Sequence, residues 1–140
     1  MNRIPELAKY VQEFEGWELP SYKNFWRGSI SFRQNNPGNL RYSFYQSGVK
    51  GGYSYFKDYE TGRKALIHQL TIIANGTSPA YNRAAKDRGW KVKNSSELSL
   101  IQVFQIYAPS SDGNHPLKYA AFLAGKIGVS PTVQVKSLLA

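Results

Sequence analysis

Helical periodicity runs through most of this 140-residue chain but stops between residues 17 and 57. On either side of that interruption, apolar residues recur at the spacing of a helix that buries one face. Inside it, apolar and polar residues alternate at residues 40–44 and 53–55, around the glycine-rich sequence SGVKGG. Alternation about such a turn indicates a β-hairpin. We therefore expect an α+β fold that is mostly α, with five to six helices and a small β-hairpin insertion after the first helix.

Residues that commonly begin and end helices predict the boundaries of these elements. Pro5 suits the first position of a helix that ends near Glu15. Asp58 suits the cap of a second helix, which Asn75 and Gly76 would end. Four later helices are expected. The first begins at Ser78 and Pro79, and the second follows the capping-box spacing of Asn94 and Glu97. The third begins at Pro116, and the last begins at Ser130 and Pro131.

The composition limits the classes of function. The length suits a single domain, residues 1–140, that buries a sizeable core. The absence of cysteine excludes disulfides and thiolate sites, and the two histidines, His68 and His115, are far apart. We therefore expect no metal and no cofactor. No apolar run approaches the roughly 20 residues of a membrane span, and the N-terminal segment has no signal-peptide pattern.

The positive charge is unevenly distributed. Residues 1–60 carry 8 Lys and Arg against 6 acids, a balance of +2, and residues 61–140 carry 10 against 3, a balance of +7. Such a surface favours a polyanion such as nucleic acid, an acidic membrane, or a bacterial wall with its teichoic acids. A basic surface that only maintains solubility is the alternative.

Glu15 lies at the edge of the apolar stripe of the first predicted helix. With about 100° per residue, Leu7, Val11 and Phe14 fall near 0°, 40° and −20°. Glu15 falls at about 80°, whereas the other two glutamates of this helix face away. Partial removal from water and the negative end of the helix dipole would both raise the pKa of Glu15, as a general acid requires. From periodicity alone, a helix-end glutamate that extends into solvent is the favoured interpretation.

A second segment, the sequence RQNNPGNLR at residues 33–41, favours chemistry at Glu15. Its Asn-Pro and Gly-Asn pairs predict a tight turn. Asn35, Asn36 and Asn39 supply uncharged amides, which bind N-acetylated sugars beside aromatic faces. Aromatic residues near this segment are Trp17, Tyr22, Phe25, Trp26, Tyr42, Phe44, Tyr45, Tyr53 and Tyr55. An ordinary asparagine–glycine turn is the alternative.

Four motifs in order resemble phage and prophage proteins of the lysozyme-like superfamily, which include virion-associated lytic transglycosylases and endolysins. They are FEGW at residues 14–17, SxSxRQNNPGNLR at residues 29–41, YSYFKDYETGRKAL at residues 53–66 and YAPSSDGNHPLKYAAFLAGKIGVS at residues 107–130. The family signature is RNNNPGNLR or RNNNPGNIR, from which this chain departs at Gln34. The resemblance covers nearly the whole chain.

The resemblance implies a lysozyme-like domain in which Glu15 is the catalytic acid. Glu15 would protonate the glycosidic oxygen between N-acetylmuramic acid and N-acetylglucosamine. The substrate-binding residues implied are Ser31, Asn35, Asn36, Asn39, Arg41, Tyr107, Asn114 and Tyr119. The partners would be peptidoglycan glycan strands and the anionic cell wall. The protein would travel in a virion, or leave the host cytoplasm through a holin pore.

The number of available acids separates two mechanisms. Hydrolytic glycosidases normally use two carboxylates, yet no acid lies between Glu18 and Asp58. This favours a lytic transglycosylase, in which Glu15 acts first as acid and then as base. Asp58 and Glu60 are reserve candidates better explained by helix capping, and Asp112 is better explained by a turn.

Two other functions stay open. The chain could be a hydrolytic lysozyme with a second carboxylate, or a binding module that holds glycan or nucleic acid without cleaving it. Nucleic acid is the less favoured partner because single-strand binders interleave basic and aromatic residues. Here the basic residues concentrate in the second half of the chain and the aromatic residues mostly in the first.

Overall fold

The computed structural model describes residues 1–15, 33–112 and 114–140. Over these residues the protein is α+β and mostly helical, as expected, with one two-stranded antiparallel sheet. The elements are helix α1 (Ile4–Phe14), strands β1 (Gly48–Lys50) and β2 (Tyr53–Tyr55), and helices α2 (Tyr59–Ala74), α3 (Pro79–Asp87), α4 (Leu100–Tyr107) and α5 (Pro116–Ile127). Short 3₁₀ turns lie at Ser95–Glu97, Ser110–Asp112 and Val135–Leu139.

The chain forms two compact units, which we describe separately. The hairpin unit is Ala8–Gln69, and the helical unit is Met1–Leu7 together with Leu70–Ala140. The expectation of one domain over residues 1–140 stays a prediction.

The hairpin closes through a two-residue turn. Gly51 and Gly52 have φ angles of 62° and 83°, and positive values at both central positions characterise the turn that matches the twist of paired strands. The predicted second strand is confirmed, but the first strand is Gly48–Lys50 and not residues 40–44. Pairing propagates outward from the turn, so the residues nearest it form the ladder. Tyr42 and Phe44 lie outside the sheet and are exposed.

Helix α2 confirms the expected cap and apolar stripe. The Asp58 carboxylate accepts a hydrogen bond from the backbone N–H of Thr61 at 2.8 Å, which satisfies one of the unpaired donors of the first turn. The stripe residues Ala65, Leu66, Leu70 and Ile73 are all buried.

The start of α4 differs from the prediction. Asn94 caps only the 3₁₀ turn Ser95–Glu97, and the capping box belongs to Ser99 and Gln102. The Ser99 hydroxyl accepts from the Gln102 N–H at 3.1 Å, and the Gln102 side chain accepts from the Ser99 N–H at 2.9 Å. Helix α4 therefore begins at Leu100.

The segment after Ser130 was expected to be helical, and this prediction is wrong. The N–H groups of Leu100 and Ile101 donate to the carbonyls of Val133 and Pro131, at 3.1 and 3.2 Å. The first turn of α4 needs external acceptors because its N–H groups have no partner within the helix. The segment supplies them from a turn at Pro131 and Thr132 and from Val133, and it becomes helical only at Val135–Leu139, as a 3₁₀ turn.

Candidate functional site

Glu15 immediately follows helix α1. Its backbone N–H donates to the carbonyl of Val11 at 3.0 Å, so it continues the helical hydrogen bonding by one residue. Glu15 is half-buried, whereas Glu6 and Glu13 are exposed. The expectation that Glu15 alone among these three glutamates is partly removed from water is confirmed.

Residues 33–41 form a tightly bent segment that we call the asparagine turn. Asn35 and Asn39 have φ angles of 53° and 51°, the two positive values of non-glycine residues in the described ranges. Asparagine tolerates this left-handed conformation better than most residues. The Asn39 N–H donates to the Asn36 carbonyl at 2.9 Å, which closes the turn. The expected turn is therefore present, and asparagine suits both left-handed positions.

Asn36 holds the asparagine turn together from inside. Its side chain is fully buried. The amide nitrogen donates to the carbonyls of Leu40 at 2.8 Å and Ser54 at 3.0 Å, and the amide oxygen accepts from the Leu40 N–H at 2.9 Å. Both N–H bonds and the oxygen are thus used by the backbone. The structure gives Asn36 a supporting position, and contact between Asn36 and a ligand stays a prediction.

Gln34 and Asn35 fasten the turn to the region of strand β2. The Gln34 amide donates to the carbonyl of Ser54 at 2.9 Å, and the Phe56 N–H donates back to the Gln34 carbonyl at 3.0 Å. The Asn35 amide donates to the Phe56 carbonyl at 3.1 Å. Gln34 therefore has a structural role in holding the turn.

Asn39 differs from the other amides of the turn. Its side-chain oxygen is buried and accepts no hydrogen bond from any of the described residues. A buried acceptor without a donor costs about 1–3 kcal/mol, so such groups are rare in folded proteins. This oxygen is therefore an unsatisfied acceptor that is closed to solvent, and a donor group of a ligand would reach it only after the surface that covers it opened.

Glycine at position 62 lets the asparagine turn lie directly against helix α2. A Cβ atom on Gly62 would be 1.8 Å from the carbonyl oxygen of Asn35 and 3.0 Å from Cδ of Pro37. No residue with a side chain fits in that space. The backbone of the turn therefore rests on the first turn of the helix.

Helix α1 contacts the same part of α2. The Tyr59 hydroxyl donates to the side-chain oxygen of Gln12 at 2.9 Å. Tyr59 and Gly62 are three residues apart on α2, and Gln12 and Glu15 are three residues apart at the end of α1, so each pair shares a helix face. Within the hairpin unit, the first turns of α2 thus contact both the asparagine turn and the helix end that carries Glu15.

Arg41 ends the asparagine turn at the surface. Its guanidinium lies 4.6 Å from the centre of the Tyr53 ring and donates to the Tyr53 hydroxyl at 3.2 Å. This stacking orients an exposed cation beside the hairpin. Ser31, the remaining predicted binding residue of this region, lies outside the described residues.

The other three predicted binding residues belong to the helical unit. Tyr119 is buried, and its ring stacks on Phe104 with centroids 4.6 Å apart. Tyr107 is half-buried and meets the Tyr119 ring edge-on at 6.1 Å. Asn114 is exposed, and its amide donates to the Pro109 carbonyl at 3.4 Å. The two tyrosines therefore form an aromatic core cluster, and their contact with a substrate stays a prediction.

Asp58, the reserve second carboxylate, is engaged in capping α2. Hydrogen bonds from the side chain and then the backbone of Thr61 hold the pKa of the Asp58 carboxyl below its usual value of 3.8. These bonds favour the charged form. Asp58 is therefore ionised at neutral pH and serves the helix terminus.

The described parts of the chain contain no group of three or more histidine or acidic side chains arranged to hold a metal ion. None of their helices combines the length and apolar character needed to cross a membrane.

Sequence reasoning missed three contributors to this site, namely Gly62, Ser54 and the pair of Gln12 with Tyr59. Gly62 had a signal, because a glycine inside a predicted helix costs about 1 kcal/mol relative to alanine and so indicates a packing reason for its presence. Ser54 had none, because the alternation of Tyr53 and Tyr55 predicts that the tyrosines face the core and Ser54 faces outward, whereas Ser54 is buried and Tyr55 is exposed. The contact between Gln12 and Tyr59 had none.

Comparison with known proteins gives no match: no protein-family model, no curated protein and no solved structure is significantly similar to the chain.

Proposed function

We propose that this protein is a peptidoglycan lytic transglycosylase with a lysozyme-like fold. It would cut the β-1,4 bond between N-acetylmuramic acid and N-acetylglucosamine with Glu15 as its one catalytic carboxylate. The observation that carries the proposal is the unsatisfied amide oxygen of Asn39, buried in a turn that rests on the same helix as the end of α1. The order of the four sequence motifs supports the same function.

Glu15 would act twice in the reaction. As a neutral acid it gives its proton to the glycosidic oxygen, and the bond from that oxygen to C1 of N-acetylmuramic acid breaks. The N-acetyl group stabilises the positive charge at C1. The Glu15 carboxylate then takes the proton of the C6 hydroxyl while O6 bonds to C1, which yields a 1,6-anhydro sugar and restores the acid. No water is consumed, so one carboxylate suffices.

The half-burial of Glu15 suits this cycle. Partial removal from water disfavours the anion and raises the pKa of a carboxyl group, as does the negative end of a helix dipole. A glutamate that stays protonated near neutral pH can donate to a leaving oxygen. The raised pKa of Glu15 is part of the proposal.

Asn39 would recognise the substrate through its amide oxygen. An N-acetyl N–H or a sugar hydroxyl can supply the hydrogen bond that this oxygen lacks among the described residues. Because Asn36 and Gln34 already tie the turn to Ser54, the backbone around Asn39 needs no reordering on binding, and only the surface over the buried oxygen has to open. Preorganisation of this kind lowers the cost of binding.

The lack of a second available carboxylate near the asparagine turn favours transglycosylation over hydrolysis. Residues 33–57 contain no Asp or Glu, and Asp58 caps α2. A hydrolytic lysozyme needs a second carboxylate near the scissile bond. A hydrolytic lysozyme remains the alternative enzyme, and the products of cleavage distinguish it from a transglycosylase.

The decisive experiment compares Glu15→Gln with Glu13→Gln on purified bacterial wall. Glu13 is an exposed glutamate two residues away, so its variant controls for loss of one charge at this helix end. We expect Glu13→Gln to release soluble fragments at the wild-type rate and Glu15→Gln to lose at least about 100-fold in rate, as removal of a general acid does. Equal activity of the two variants would exclude Glu15 as the acid.

Mass spectrometry of the released muropeptides then decides the reaction. Anhydromuramyl ends are expected, and reducing ends would show hydrolysis instead. If the wild-type protein binds wall but releases nothing, the protein is a binding module. The positive charge of residues 61–140 supports binding to an anionic wall, and a fold does not by itself establish catalysis.

A further inference from the structure

Five basic residues form a cluster on the helical unit that the proposed reaction does not use. They lie on α3 and in the loop that follows it, all are exposed, and we call them the basic patch: Arg83, Lys86, Arg88, Lys91 and Lys93. Asp87 is the one acid within residues 83–93. The patch therefore concentrates positive charge in a short stretch of surface.

The loop after α3, which carries Arg88, Lys91 and Lys93, is held in place by hydrogen bonds. The Trp90 N–H donates to the Ala85 carbonyl at 3.0 Å, which folds the chain back onto the end of α3. The Lys93 N–H donates to the Glu97 carboxylate at 2.9 Å, and the Ser95 N–H donates to the Asn82 side chain at 2.7 Å. The cations are thus displayed from an ordered backbone.

The cations of the basic patch have no ion-pair partner among the described residues. Across residues 1–15, 33–112 and 114–140, the ion pair found is between Arg3 and Glu6, so no patch residue is paired with a described carboxylate. Stabilisation of a helix C-terminus explains Lys86 and Arg88. It does not explain Lys91 and Lys93, which lie beyond the helix.

We infer that the basic patch binds an anionic wall polymer with repeating phosphodiester groups, of the teichoic acid type. The inference rests on the proposed function, which brings the protein to the wall. Repeated phosphates suit several exposed, flexible cations, since each contact releases counterions. The patch would hold the enzyme on wall that it is cleaving.

The aromatic content of the patch argues against single-stranded nucleic acid. Binders of that class stack successive bases on several exposed aromatic faces. Trp90 is the one aromatic side chain in this stretch; it is half-buried, and the Arg88 guanidinium lies 5.6 Å from its ring centre. The patch therefore offers contacts to phosphate and little surface for bases.

The test removes three charges from the patch and, in a matched control, three charges from elsewhere. The patch variant is Lys86→Gln, Lys91→Gln and Lys93→Gln; the control is Lys57→Gln, Lys118→Gln and Lys136→Gln. All six lysines are exposed, and both variants have the same net charge. Binding of fluorescent poly(glycerol phosphate) is measured by anisotropy over a range of salt concentrations, with single-stranded poly(dT) of equal charge as a second probe.

We expect the patch variant to lose affinity for poly(glycerol phosphate) and the control to retain it. For a single-stranded polymer, each phosphate contact contributes about 0.7 to the slope of log K against log salt. At 0.1 M salt this raises the binding constant roughly fivefold relative to 1 M salt. Three lost contacts would weaken binding by about 100-fold and lower the slope by about 2. Equal losses in both variants would overturn the inference, as would binding of poly(dT) about tenfold tighter than poly(glycerol phosphate).

Wall cleavage separates this inference from the proposed function. On intact wall the patch variant should release fragments more slowly than the control, and on wall stripped of phosphate polymers the two should be equal. If neither cleaves any wall but the patch variant alone loses polymer binding, the proposed reaction fails and the polymer site stands.

Discussion

Replacement of Gly62 by alanine tests the contact on which the candidate site depends. The new Cβ atom would lie 1.8 Å from the Asn35 carbonyl oxygen, where real Cβ atoms keep at least 3.0 Å. The turn and helix α2 must therefore separate by about 1.2 Å. The obstructing atom belongs to the backbone of a left-handed residue and cannot rotate away.

The expected cost combines two opposing effects. Overpacking of a close contact costs about 1–3 kcal/mol, whereas alanine in place of glycine inside a helix contributes up to about 1 kcal/mol of stability. We expect the free energy of unfolding of Gly62→Ala to fall by about 1–2 kcal/mol. Since displacement of a catalytic site by about 1 Å can reduce a rate 100-fold, wall cleavage should fall by about that factor.

Gly125→Ala is the matched control. Gly125 lies in α5, and a Cβ atom there meets nothing within 4 Å. This variant should gain about 0.5–1 kcal/mol and cleave wall at the wild-type rate. Urea denaturation measures both free energies of unfolding. If Gly62→Ala is stabilised as much as Gly125→Ala, the turn does not press on α2 and our account of the site is refuted.

Two further predictions concern single side chains of the hairpin unit. Asn36→Ala should lower the free energy of unfolding by about 2–3 kcal/mol, because it leaves buried backbone groups of Leu40 and Ser54 without partners. Asn39→Gly should change that free energy by less than about 1 kcal/mol and reduce the rate of wall cleavage at low substrate by about three- to tenfold. Equal destabilisation by both variants would contradict the different roles assigned to these asparagines. Asp58→Ala should keep wall cleavage but lower stability at neutral pH. The pKa of Asp58 is lower in the folded state than its unfolded-state value near 3.8. Its contribution to stability is therefore present above pH 3.8 and is lost as the pH falls through the folded-state pKa. Urea titrations at pH 7 and pH 2 measure that difference, and a difference of the same size at both would exclude the cap as its source.

The helices could be predicted where their signals are local. Ser78 accepts a hydrogen bond from the Tyr81 N–H at 3.2 Å just before Pro79 opens α3, and Gly128 ends α5 with a φ of 74°. Such signals involve residues within one turn of each other, so the sequence contains both partners. The errors arose where a distant segment intervened, as at the residues after Ser130, whose carbonyls satisfy the start of α4.

The same division applies to the candidate site. The amphipathic pattern of α1 placed Glu15 nearer the buried face than Glu6 and Glu13, because burial of a helix face follows from a repeat of 3.6 residues, but it did not predict that Phe14, in the centre of the same stripe, is exposed. The sequence also predicted a turn rich in amides, but not what each amide does. Asn36 and Asn39 are the same residue type in one turn, yet Asn36 bonds to Ser54, 18 positions away, and the Asn39 oxygen accepts from none of the described residues. That distinction depends on which distant backbone groups the fold brings within hydrogen-bonding distance, so only the tertiary structure decided it.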